Sequence, residues 1–252
     1  MQKPIIAPIR YRTLVPLLST GLVAGVALML AFISRERPYT ETAAPASPSP
    51  VPASLWEIGP DPLKLPEGMP EMGNQHGDVA ISSNGDIYVS LMQGLRSGVQ
   101  VYSADGTYLR NVTNAPTDFH GFVINKETGG EFIYGPQLGA GKILKLTLQG
   151  DVVMTIPGES IPKKYWLVNP KNQQSALRLT GCTVALNGDI FVTDGYATDY
   201  VHRFNAKGEY LATFGGKAAP YNFKTLHKIA IDNRFDPPRL VGTDRASGRV
   251  VH

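Results

Sequence analysis

The chain has 252 residues, 18% of them charged and 42% hydrophobic, with a formal net charge of +3. That balance supports one full domain with a sizeable core, and 26 glycines and 20 prolines favour short strands and turns over long helices. The basic excess is small and partly gathered around an apolar run near the N-terminus; no basic helix or aromatic–basic interleaving occurs, so nucleic acid is set aside as a partner.

After a short tail, residues 1–13, the run Leu14–Ser34 (LVPLLSTGLVAGVALMLAFIS) carries no charge. As a helix it is long enough to cross roughly 30 Å of hydrocarbon. Arg10 and Arg12 precede it, Arg35 and Arg37 follow it, and its exit, Ala31-Phe32-Ile33-Ser34-Arg35, is a poor cleavage site. The expectation is a retained anchor that holds the remainder on the extracytoplasmic side, periplasmic or extracellular. The alternative is a secreted protein released by signal cleavage. Residues 35–53 are rich in Pro, Ala, Ser and Thr and read as an extended linker. A single cysteine, Cys182, excludes an intrachain disulfide; in an exported protein it reads as a small core residue.

Residues 54–252 divide into four units of short β-rich runs punctuated by glycine turns. The first contains Asp78-Val79-Ala80-Ile81, Asn84-Gly85-Asp86-Ile87-Tyr88-Val89, Gly98-Val99-Gln100-Val101-Tyr102 and Gly106-Thr107-Tyr108-Leu109. The second opens at His120-Gly121-Phe122, the third at Gly181-Cys182-Thr183 and the fourth at Leu226-His227-Lys228. A longer insert precedes the third, and the fourth reaches only its third strand. A period of about 44 residues with four strands per unit is the signature of a β-propeller. Alternation in runs such as Asp189-Ile190-Phe191-Val192-Thr193 suits strands packed face to face between blades. The expected fold is therefore all-β, about four blades of a six-bladed ring, and the chain reads as the N-terminal part of a longer propeller.

The units resemble NHL-type repeats, and the third and fourth resemble the peptidyl-α-hydroxyglycine α-amidating lyases. The resemblance rests on Val192-Thr193-Asp194-Gly195-Tyr196, Val201-His202-Arg203-Phe204, Leu226-His227, and Asp244-Arg245 with Gly248-Arg249-Val250, plus Phe119-His120-Gly121-Phe122 in the second unit. It implies a zinc ion held by His120 and His227, with a third histidine beyond residue 252; structural calcium is an additional candidate ion. It also implies Tyr196 as catalytic base and Arg245 as the residue that binds the substrate carboxylate and serves the chemistry. The reaction would break a carbinolamide C–N bond to give a peptide amide and glyoxylate. Zinc lowers the pKa of a bound hydroxyl, a phenolate takes its proton, and a guanidinium fork suits a carboxylate. The family's second substrate arginine has no counterpart in Val89-Ser90-Leu91-Met92, leaving Arg96 as a loose substitute.

Each residue also has a structural reading. His120 and His227 could simply bond a neighbouring blade, and Tyr196 could cap one. His76 opens the first unit and rivals the other two as a ligand. His202 and Arg249 read as strand residues, and Asp194 and Asp244 as carboxylates that bond backbone at their turns. The competing function is a non-catalytic exported propeller that binds a protein or glycan, so the partners expected are a peptide-like substrate or a protein ligand, and the membrane.

Overall fold

A computed structural model describes residues 63–73 and 77–252. The expected anchor, the linker, residues 54–62 and His76 lie outside the described residues. Among the described residues no helix is long and apolar enough to cross a membrane.

The fold is an all-β propeller of four blades. Blade 1 comprises β1 (Val79–Ile81), β2 (Ile87–Leu91), β3 (Gly98–Tyr102) and β4 (Tyr108–Asn111). Blade 2 comprises β5 (Val123–Glu127), β6 (Gly130–Gln137), β7 (Lys142–Thr147) and β8 (Val152–Ile156). The insert that follows makes two 3-10 turns, Gly158–Ser160 and Lys163–Tyr165, and a small hairpin of β9 (Leu167–Val168) and β10 (Ser175–Ala176). Blade 3 is β11 (Gly181–Val184), β12 (Ile190–Thr193), β13 (Tyr200–Phe204) and β14 (Tyr210–Gly215). Blade 4 has three described strands, β15 (Leu226–Asp232), β16 (Arg239–Asp244) and β17 (Arg249–Val251). Within every blade the strands lie in sequence order and pair antiparallel.

The hairpins follow from turn chemistry. Asn84-Gly85 and Asn187-Gly188 place glycine at φ +92° and +85°, a region closed to most side chains. Between turns, neighbouring residues point to opposite faces of the sheet. Tyr88 thus joins Val99 and Val101 against Phe122, Ile133 and Leu146 of blade 2. Val89, its neighbour, turns to the other face with Leu91 and Tyr102, where Leu63, Leu65, Met69 and Met72 cover them. Tyr134, Ile143 and Ile156 of blade 2 meet Cys182, Ile190, Val192 and Phe204 of blade 3, sealed by Ile161, Leu177 and Leu179 of the insert. Val201 meets Phe223, Leu226 and Ile229 on the way into blade 4. Each such side chain, fully buried, contributes about 1.5–3 kcal/mol of transfer free energy.

Candidate functional site

Three side chains from blades 2 and 4 converge on the hydroxyl of Tyr196 in blade 3. His120, on the approach to β5, places Nε2 3.1 Å from that oxygen, and His227 of β15 places Nε2 at 2.8 Å. Arg245 donates from Nη1 at 3.3 Å, with its guanidinium carbon 5.3 Å from the tyrosine ring centre. The two imidazoles meet edge to face, centroids 4.8 Å apart.

Local sequence puts each group there. Gly121 lets the His120 segment approach blade 3, since a Cβ at 121 would fall 2.4 Å from the Thr180 carbonyl oxygen. His227 is the extra residue of a β-bulge: Leu226 pairs with Asp244 and Lys228 with Thr243, leaving His227 between them. A bulge of this kind re-aims a side chain out of the pleat. Tyr196 rides on the β12–β13 turn, where the Asp194 carbonyl accepts from the N–H groups of Ala197, Thr198 and Asp199. Arg245 opens a 3-10 turn between β16 and β17, its N–H bonded to the Thr225 carbonyl at 2.9 Å.

Three buried carboxylates staple these turns. Asp194 accepts from the Arg178 N–H and the Thr198 hydroxyl, both at 2.6 Å, and Asp199 from the Leu226 N–H at 2.8 Å. Asp244 accepts from the Lys224 N–H at 2.6 Å and from Arg249 Nε at 2.8 Å. Burial pushes Asp194 up to about 6, and burial likewise raises Asp199. Burial also acts against ionised Asp244, but the bonds from Arg249 and Lys224 outweigh it and hold its carboxyl low. With these carboxylates turned inward, Arg178, Lys217, Lys224 and Arg245 remain on the exposed side of the rim.

The hydrogen-bond chemistry of His120 is set by its other nitrogen. Nδ1 lies 2.8 Å from the Thr180 carbonyl oxygen, which can only accept, so Nδ1 carries the proton and the neutral ring keeps its lone pair on Nε2. A phenol has one proton to give. With that proton directed to His120 Nε2, the His227 Nε2–H and Arg245 donate to the oxygen, and all three contacts are satisfied. A hydroxyl bridged in this way lies within reach of three nitrogens, a geometry suited to proton transfer.

The same lone pair fits zinc, because a metal-binding imidazole characteristically donates its second nitrogen to a carbonyl or carboxylate. His227 would join His120 as a ligand in its other tautomer, with the proton on Nδ1, so that two Nε2 atoms near the Tyr196 oxygen would take the metal. Among the described residues no group of three His, Cys, Asp or Glu side chains converges. Arg96 is not brought to this cluster: it occupies the equivalent β2–β3 turn of blade 1, its guanidinium over the ring of Tyr108 on the outer strand at 5.3 Å. His202 is buried, its Nδ1 2.8 Å from the Thr213 hydroxyl, and Arg249 is tied to Asp244 and to the Tyr221 carbonyl. Thr180, which the repeat pattern gave no reason to single out, lies at the centre of the bonding.

No family model matches the chain, and no curated protein matches it in sequence. Among solved structures it is similar to a streptogramin B lyase at 17% identity, covering 73% of this chain and 56% of that one with a TM-score of 0.47. It is similar to a catalytically inactive virginiamycin B lyase from Staphylococcus aureus with quinupristin at 14% identity, covering 73% and 56%, TM-score 0.46. It is also similar to an auxiliary nutrient binding protein from Bacteroides ovatus at 16% identity, covering 68% and 46%, TM-score 0.48. The chain thus spans about half the length of these structures.

Proposed function

We propose that the Tyr196 cluster is the site of a carbon–nitrogen lyase acting on peptidyl-α-hydroxyglycines or similar carbinolamides. The observation that carries this reading is the Tyr196 hydroxyl held within about 3 Å of two imidazole nitrogens beside an exposed guanidinium. Arg245 would bind the substrate carboxylate by paired N–H donation. Tyr196 would take the proton of the carbinol hydroxyl. As that O–H bond breaks, a C=O bond forms and the C–N bond opens; the leaving amide nitrogen takes the same proton back from Tyr196, and the products are a peptide amide and glyoxylate. His120 and His227 would hold zinc, which when bound supplies positive charge that lowers the pKa of an adjacent hydroxyl. The N-terminal segment 14–34 would place this chemistry outside the cytoplasm, a reading that carbonate extraction and protease protection test.

One observation favours a second reading. The Tyr196 bonds join blades 2, 3 and 4, a bridging role that a non-catalytic propeller binding a protein or glycan would also use. Metal analysis and glyoxylate release from an α-hydroxyglycine-extended peptide separate the two. The lyase reading expects bound zinc and released glyoxylate, with both diminished in His227→Ala. A protein that releases no glyoxylate with zinc supplied supports the binding reading instead.

A further inference from the structure

Thr180 is 1% exposed and touches the supports of Tyr196 and of the two imidazoles beside its hydroxyl. Its carbonyl oxygen receives the His120 Nδ1–H at 2.8 Å. Its hydroxyl accepts the Gly195 N–H at 3.3 Å and lies 3.4 Å from the Leu226 carbonyl oxygen and 3.0 Å from the Thr193 hydroxyl. Gly195 immediately precedes Tyr196, and Leu226 immediately precedes His227. Leu226 is gripped from its other side as well, its N–H bonded to the Asp199 carboxylate at 2.8 Å.

We propose that Thr180 is the positioning residue of this site: one side chain fixes the spacing of Tyr196 and His227, while its carbonyl fixes the ring state of His120. The catalytic consequence rests on the lyase reading above. The spacing is tight because nothing but glycine fits at 195 between Thr180 and Leu226, where a Cβ would lie 2.8 Å from the Thr180 hydroxyl oxygen and 2.2 Å from the Leu226 carbonyl oxygen. Removing the hydroxyl takes this partner from a buried N–H and a buried carbonyl, and the Tyr196 turn and the start of β15 lose one of their ties while the Asp199–Leu226 bond remains. Neither substrate nor metal needs to touch Thr180 for this to act.

The test compares Thr180→Val, which removes the hydroxyl at nearly constant size, with Thr180→Ser, which keeps it. Two readouts are taken: steady-state glyoxylate release, and the histidine ring 15N shifts of the labelled protein. In Thr180→Val, kcat is expected to fall about 10- to 100-fold, the range for partners that orient metal or catalytic ligands, with KM changed less than about threefold. The His227 ring shifts should move while His120 keeps its Nδ1–H form, because the carbonyl that fixes it is main chain. Thr180→Ser should restore both. Should the valine variant not fold, Thr180→Cys, whose thiol is a weak hydrogen-bond partner, carries the same expectations in reduced size. A valine variant with wild-type kcat and unmoved His227 shifts, or a serine variant no better than valine, overturns the proposal. If the wild-type protein releases no glyoxylate, the lyase reading fails alone, and the His227 shifts still decide the role of Thr180.

Discussion

Gly195→Ala places a single methyl group between the two halves of the site. The Cβ would stand 2.2 Å from the Leu226 carbonyl oxygen, and 2.8 Å from both the Leu226 carbonyl carbon and the Thr180 hydroxyl. These are main-chain atoms and a buried hydroxyl, so no flexible chain end can give way. Either the turn bearing Tyr196 or the start of β15 bearing His227 must move by a large fraction of an ångström. Overpacking of this kind costs about 1–3 kcal/mol, which for a domain of this size lowers Tm by about 2–12 °C. Misplacement on the order of 1 Å can cost about 100-fold in rate, so the loss of activity should exceed what the stability change explains. Gly129→Ala is the control, since its Cβ meets nothing nearer than Phe132 Cζ at 3.8 Å; it should stay within about 0.5 kcal/mol of wild type. Thermal melts and glyoxylate release on both variants decide the matter. A Gly195→Ala protein with the wild-type Tm and full activity would refute the packing argument at this position.

Acid titration should expose two opposed slopes. Asp194 is raised by burial to about 6 from 3.8, so its contribution is complete below pH 3.8 and is lost as pH rises through 6. His202 is lowered by burial to about 4 from 6.5, so its contribution is complete above pH 6.5 and is lost as pH falls through 4. Each is worth on the order of 3 kcal/mol between plateaus: Asp194→Asn should therefore gain stability from pH 4 to 6.5, and His202→Leu should lose it over nearly the same window. Denaturant titrations giving parallel pH profiles for both variants would contradict the assignment. Cys182, buried against the Tyr134 carbonyl with its thiol pushed up to about 12 by burial, should resist iodoacetamide at pH 8 until the protein is unfolded; alkylation of the native protein at the unfolded rate would refute that. Arg245→Lys should raise KM for the carboxylate-bearing peptide more than it lowers kcat, because a point charge replaces a fork; an unchanged KM would remove the arginine from substrate binding.

Much of the blade structure is written locally. Asn-Gly and Asp-Gly pairs fix the hairpins, and strict alternation in Asp189-Ile190-Phe191-Val192-Thr193 tells which side chains face the next blade. The convergence of Tyr196, His227 and Arg245 also follows from repetition, because equivalent turns of adjacent blades meet at one rim. What repetition could not supply is long-range. Thr180 belongs to the end of the insert, outside any repeat match, and its importance comes from partners 13 to 60 residues away along the chain. Residues 63–73 precede the first matched run and carry no repeat signal; they cover one face of blade 1 through Leu63, Leu65, Met69 and Met72. Arg96 occupies the equivalent turn of blade 1 but has positive φ and turns to Tyr108, an orientation decided by backbone conformation and invisible in spacing.

The most direct test of the central claim is single-turnover glyoxylate release by the wild-type protein and Tyr196→Phe on an α-hydroxyglycine-extended peptide with zinc supplied. Removing one oxygen deletes the contacts at 2.8, 3.1 and 3.3 Å while leaving the ring in place. General-base catalysis is worth about 100- to 10,000-fold, so the phenylalanine protein should be slower by that factor while melting within a few degrees of wild type. Equal rates for the two proteins would contradict the account.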